Sequence, residues 1–136
     1  MDQLDVLAEA QAKFRAVAGN PDFAEMYRAR QFEQLSDGDR ALIARWHKEY
    51  ALALMMESAE LMDWSPWKHW SKQLGNKSPI LPFSAAHRNE VKAELADLIC
   101  FILNDCALWG ITPSELVAAT LAKTMVNHQR QATGTY

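Results

Sequence analysis

Glycine, proline and cysteine are scarce in this 136-residue chain, with 5, 5 and 2 copies. Runs of β-branched residues are also few. So little punctuation and so few strand formers favour helices over a sheet. The two cysteines, Cys100 and Cys106, do not form a CxxC and fall in an apolar helical segment. Two buried free thiols in a reducing cytosol are expected rather than a disulfide. A basic excess is missing too: 14 Lys+Arg stand against 17 Asp+Glu, for a net charge of -3. That argues against a general nucleic-acid binder, which needs a basic face to release counterions, and no nucleic-acid partner is expected. Long apolar runs are absent. The best, residues 95–103, is broken by Asp97 and is about half of what a bilayer requires, so no membrane association is expected. The chain opens Met1-Asp2-Gln3, with an acid where a secretory leader needs basic residues, so a cytoplasmic location is expected.

What is present suits an ordinary soluble fold. Hydrophobic residues make up 49% and charged residues 23%, enough apolar material to offset chain entropy. The length suits one domain over residues 1–136. Residues 2–18 read as a first helix, closed by Gly19-Asn20-Pro21. Residues 22–35 read as a connector holding a helical turn or two. Ser36 can cap a helix running to about residue 64, with Asp39 in its first turn. Residues 65–82, rich in Trp, Pro, Lys, Ser and Gly, read as a loop with one short helix at most. Ser84 can cap a third long helix ending near Trp109-Gly110. Thr112-Pro113-Ser114-Glu115 is a strong start for a last helix reaching about residue 131: Thr cap, Pro first, Glu three residues after the cap. The expected architecture is an all-α bundle of four to five helices, without internal repeats.

Acidic residues interrupt the apolar faces of two of these helices. In the second long helix a stripe runs through Ile43, Trp46, Tyr50, Ala53, Leu54 and Leu61. Glu57 falls on it and Glu60 projects one turn later, on the same face. In the third, Leu95 to Trp109 is apolar on nearly every side, the pattern of a helix buried all round, yet Glu94 and Asp97 stand at its start, again three apart. Burying such acids unpaired costs several kcal/mol, and a cation shared between the two helices removes the problem. Hard carboxylate oxygens suit Mg²⁺, with Mn²⁺ as a substitute. A di-iron centre is disfavoured, because no Glu here is followed by His three residues later. Glu90, one turn before Glu94, is placed at the rim. The other reading is that these acids are solvated or paired with Lys and Arg.

Four carboxylates around a divalent cation call for a polyphosphate ligand. Two segments offer counter-charge. In Trp67-Lys68-His69-Trp70 the ammonium of Lys68 can reach phosphate and the indoles can wall a base, or the Trp pair simply anchors a loop. On the last helix Lys123, Asn127 and Arg130 share one face and can grip phosphate oxygens. Alternatively they only complement the helix dipole.

These residues together resemble the all-α dimeric dUTPases, related to the MazG-type nucleotide pyrophosphatases. Met56-Glu57-Ser58-Ala59-Glu60-Leu61 followed by Trp67-Lys68-His69-Trp70 is similar to the family's Glu-x-x-Glu helix and Lys-x-Trp loop. Glu94-Leu95-Ala96-Asp97 followed by Phe101 resembles its second metal helix, and Lys123-x-x-x-Asn127-x-x-Arg130-Gln131 its C-terminal phosphate motif. Gln11 matches a Gln on the family's first helix, and the tail ending in Tyr136 is similar to the family's. The matches run in order from about residue 4 to 136.

The resemblance implies an all-α NTP pyrophosphatase fold and Mg²⁺-dependent hydrolysis of dUTP to dUMP and pyrophosphate. It implies Glu57, Glu60, Glu94 and Asp97 as metal ligands, and Lys68, Lys123, Asn127 and Arg130 as phosphate contacts. Gln11, Trp70 and Phe101 would surround the uracil and deoxyribose, with Gln11 a candidate for rejecting cytosine. It implies a homodimer acting on a deoxynucleoside triphosphate. Among the acids Glu60 is favoured over Glu57 as general base, with Lys68 stabilising charge on the bridging oxygen. Attack at the β phosphorus would extend the substrate to dUDP. The competing expectations are a dCTP or broad-specificity pyrophosphatase on the same scaffold, and a non-catalytic helical interaction module.

Overall fold

The computed structural model describes residues 2–65 and 84–135. Five α-helices follow one another: α1 (Gln3–Val17), α2 (Phe23–Ala29), α3 (Asp37–Met62), α4 (Ala85–Leu108) and α5 (Pro113–Thr133), with a single 3-10 turn at Phe32–Gln34. No strand occurs among the described residues, so the all-α expectation holds. Trp67, Lys68, His69, Trp70 and Tyr136 lie outside the described residues, as does nearly all of the expected 65–82 loop.

The helix ends follow local chemistry. Asp2 caps α1 by accepting from the Asp5 N–H, and Asp5 reciprocates at the Asp2 N–H. Ser84 Oγ accepts from the His87 N–H at the start of α4. The expected box at α5 is complete: Glu115 N–H donates to Thr112 Oγ1 at 3.1 Å, and Thr112 N–H to Glu115 Oε2 at 2.7 Å. Observed ends differ from the sequence reading by one or two residues, the usual fraying of helix termini.

Contacts divide the chain into two units. One comprises the residues up to Ser36 together with those from Cys106 onward; the other is Asp37–Asp105. In the first, α1 packs with α5. Phe23, Leu35 and Leu108 are buried, and the Arg15 guanidinium lies over the Phe23 ring. The end of α4 is finished in this unit. Ile111 N–H donates to Cys106 O and Gly110 N–H to Ala107 O, the paired bonds of a Schellman turn, with Gly110 at φ +67. The Tyr27 hydroxyl donates to Leu108 O at 2.6 Å, satisfying one of the carbonyls that a helix terminus leaves open.

In the second unit three side-chain meetings fix how α3 and α4 pair. His47 meets Asp105, Glu57 meets Asp97 and Glu94, and Trp64, just past α3, meets His87 edge-on. The partner number falls as the α3 number rises, so the helices are antiparallel. The stripe read from the sequence faces inward: Ile43 and Tyr50 are buried and Trp46, Ala53, Leu54 and Leu61 are partly so.

Two expectations need correction. Helix α4 is not buried all round, because Leu95 is 46% and Ile99 47% exposed, with Ile102 also exposed. Its acids sit on one face while these apolar side chains sit on another. Cys100 and Cys106 form no disulfide with each other, and both are only partly buried rather than buried. Among the described residues no single helix is long and apolar enough to cross a membrane.

Candidate metal centre

The spacing of Glu57 and Glu60 on α3, and of Glu94 and Asp97 on α4, places each pair on the face its helix turns toward the other. Antiparallel pairing then brings them to one level. One carboxylate oxygen from each of Glu57, Glu94 and Asp97 lies within 4.8 Å of the other two. Glu60 is close enough to act on Glu57 both through its charge and through a hydrogen bond between the two carboxyl groups. Glu57, Glu60 and Glu94 are partly buried and Asp97 is exposed.

The electrostatics of this group are unfavourable without a cation. Burial, followed by the charges of Glu60 and Asp97, raises Glu57 from the ordinary 4.5 to about 7, with the Glu60 hydrogen bond and the Glu94 charge adding to it. Glu57 Oε2 is buried with no hydrogen-bond partner among the described residues. No lysine or arginine among the described residues is paired with Glu57, Glu60 or Asp97. An all-oxygen donor set, like charges crowded together and a buried oxygen without a partner fit a hard divalent cation. The neighbouring Cys100 thiol is held above its usual range by burial and then by Asp97. It stays protonated and adds no soft ligand.

A pH dependence follows. A carboxyl whose folded pKa exceeds its unfolded value favours the folded state at low pH, and that contribution disappears as pH rises through the folded pKa. The metal-free protein should therefore lose stability between about pH 4.5 and about 7 on account of Glu57. Thermal melts across this window, compared with those of Glu57→Gln, isolate the contribution. Superimposable pH profiles for the two proteins would contradict it.

The remaining expected residues are distributed as follows. Phe101 is partly buried on α4, one turn beyond Asp97. Glu90 is exposed, outside the three-carboxylate group. Gln11 is partly buried on α1. Lys123, Asn127 and Arg130 share a face of α5, with Asn127 the least exposed. Two features had not been read from the sequence. His47 Nδ1 contacts both oxygens of Asp105, at 3.0 and 2.9 Å, clasping α3 to α4. Asn104 is buried on α4 at 4% exposure. The only signal for either was its position: Asp105 and Asn104 lie about two turns beyond Asp97 on the same side of the helix.

Two long antiparallel helices that pool acidic side chains define the class, an all-α protein with a carboxylate centre. A family model described as dUTPase matches residues 23–105, which takes in α2, α3 and nearly all of α4. That is more than half of the chain, and the chain belongs to the dUTPase family. No curated protein and no solved structure matches it significantly.

Proposed function

We propose that the protein hydrolyses dUTP to dUMP and pyrophosphate with Mg²⁺ held by Glu57, Glu60, Glu94 and Asp97, Mn²⁺ being a substitute. The observation that carries this reading is the meeting of Glu57, Glu94 and Asp97 from two helices, in a chain that the dUTPase family model matches across both. A divalent cation bound there would offset the negative charge of the polyphosphate and favour ionisation of the attacking water. Water adds to phosphorus, the bond to the bridging oxygen breaks, and pyrophosphate leaves. Glu60 accepts the proton that the water gives up. Lys68, Lys123, Asn127 and Arg130 carry the ammonium, amide and guanidinium groups suited to phosphate oxygens. Gln11, Trp70 and Phe101 supply amide and aromatic surface for the base and sugar. With attack at the β phosphorus, dUDP is a second substrate.

The test is a panel of dUTP, dUDP, dCTP, dTTP and UTP with Mg²⁺. Turnover of dUTP well above dCTP, dTTP and UTP is expected. Comparable turnover of all five would favour a broad-specificity pyrophosphatase. No turnover of any, with no thermal shift from Mg²⁺ and a non-hydrolysable dUTP analogue, would favour a non-catalytic helical module.

A homodimer belongs to the same reading. Both helices that carry the acids are apolar on their outer sides at that level. On α3 Leu52, Met56 and Met62 are exposed and Met55 is 69% exposed; on α4 Leu95, Ile99 and Ile102 are bare. Exposed apolar side chains on both helices call for a partner, and a second copy supplies equally apolar ones. Sedimentation at micromolar concentration should give twice the chain mass, and a Leu95→Glu, Ile99→Glu variant should sediment as a monomer. A monomeric parent protein would contradict this.

A further inference from the structure

We propose that His47 and Asp105 are positioning residues for the carboxylate centre: their clasp holds α3 and α4 at the separation that keeps Glu57 within reach of Glu94 and Asp97 before a cation arrives. The inference rests on the metal-binding part of the dUTP-hydrolysis reading and adds to it two residues that touch neither metal nor substrate. Glu57 stands on α3 and Glu94 and Asp97 on α4, with one oxygen of each within 4.8 Å of the others. Like charges at that distance push the two helices apart. Neither Glu57 nor Asp97 has a lysine or arginine partner among the described residues, so what holds the helices together lies elsewhere along them.

Two contacts bracket the centre. At one end Trp64 meets His87 edge-on, with ring centroids 5.6 Å apart. At the other His47 meets Asp105, ten residues before Glu57 on α3 and eight beyond Asp97 on α4, about 12–15 Å along the helices. The second contact is the polar and directional one. An ionised carboxylate only accepts, so His47 Nδ1–H donates to it, and both oxygens share that nitrogen at 3.0 and 2.9 Å. The Asp105 side chain is 20% exposed and that of His47 47%, which shelters the pair more than a surface ion pair. Between clasp and centre Tyr50 is buried on the inward stripe of α3, and Leu98 and Phe101, on the Glu94 face of α4, are partly buried. Packed side chains are stiff, so a separation fixed at the clasp is passed on to the acids rather than absorbed on the way. Only molecules with the helices correctly spaced bind the cation fully, and loosening the clasp lowers the apparent affinity by the fraction that remains so.

The experiment measures the Mn²⁺ dissociation constant of the parent protein, His47→Ala, Asp105→Ala, the double variant and His47→Asn, with a melting temperature for each. His47→Ala and Asp105→Ala should each weaken Mn²⁺ binding about 3- to 10-fold, and the double variant no more than either alone. His47→Asn, whose amide nitrogen stands where Nδ1 does, should recover most of the loss. The signs separate the clasp from a charge effect. Through charge alone, losing an imidazole strengthens cation binding or leaves it unchanged, whereas losing a carboxylate weakens it, so only loss of the clasp weakens both. Gly19→Ala, a change at the end of α1 in the other unit, is the control for general destabilisation and should leave Mn²⁺ affinity unchanged. Parent-like or tighter binding in either single variant, or an equal loss in Gly19→Ala, would overturn the proposal and leave the clasp a contributor to stability alone. If the parent protein takes up no Mn²⁺, the metal reading itself fails, an outcome distinct from weakened uptake by the variants.

Discussion

Glu57→Gln should reduce dUTP turnover by about 10³-fold or more, the scale on which preorganised electrostatic groups act, while leaving the metal-free fold as stable as before or more so. The two effects have one cause. Glu57 sits where burial and three other carboxylates oppose its charge, which is why its pKa lies at about 7. An amide of the same shape removes the repulsion and can donate to a neighbouring carboxylate. It also removes the charge that the cation requires. A residue present for packing alone would behave otherwise, losing stability and activity together. Turnover measured beside a metal-free melt separates the cases. Near-normal turnover in Glu57→Gln would show that Glu57 is not a ligand.

Gly110→Ala should destabilise the protein by about 2–4 kcal/mol, the sum of a conformational cost and a disrupted helix end. The conformational part follows from φ +67, where an L side chain meets its own backbone. The second part is specific to the site. A Cβ at position 110 would lie 2.9 Å from Tyr27 Cε1 and Cζ. The ring would have to move, and with it the hydroxyl that donates to Leu108 O. Gly19 provides the control. Its φ is +79, yet nothing lies within 4 Å of the Cβ position. Gly19→Ala should therefore show the conformational cost alone, roughly 1 kcal/mol. Chemical denaturation of both variants checks this, and equal losses would show that the Tyr27 contact contributes nothing.

The acids were legible before the structure because helical spacing is a local rule. Glu57 interrupts a stripe whose members recur every three or four residues, and Glu94 and Asp97 open an apolar segment. The start of α5 was legible for the same reason, since Thr112, Pro113 and Glu115 act within one turn. The Tyr27–Leu108 bond spans 81 residues and the His47–Asp105 clasp 58, and neither leaves a local pattern. The misreading of α4 has a different origin. Leu95, Ile99 and Ile102 record that a surface is to be covered, but periodicity does not say whether the same chain or another covers it. Asn104 was passed over because one amide in an apolar helix resembles any other until its burial is seen.

Titration of the protein with Mn²⁺, followed by the electron paramagnetic resonance of the free ion, bears most directly on the carboxylate centre. The parent protein should take up Mn²⁺, Mg²⁺ should displace it, and Glu57→Gln and Asp97→Asn should each leave most of the ion free. Absence of uptake by the parent protein, or equal uptake by all three, would contradict the account.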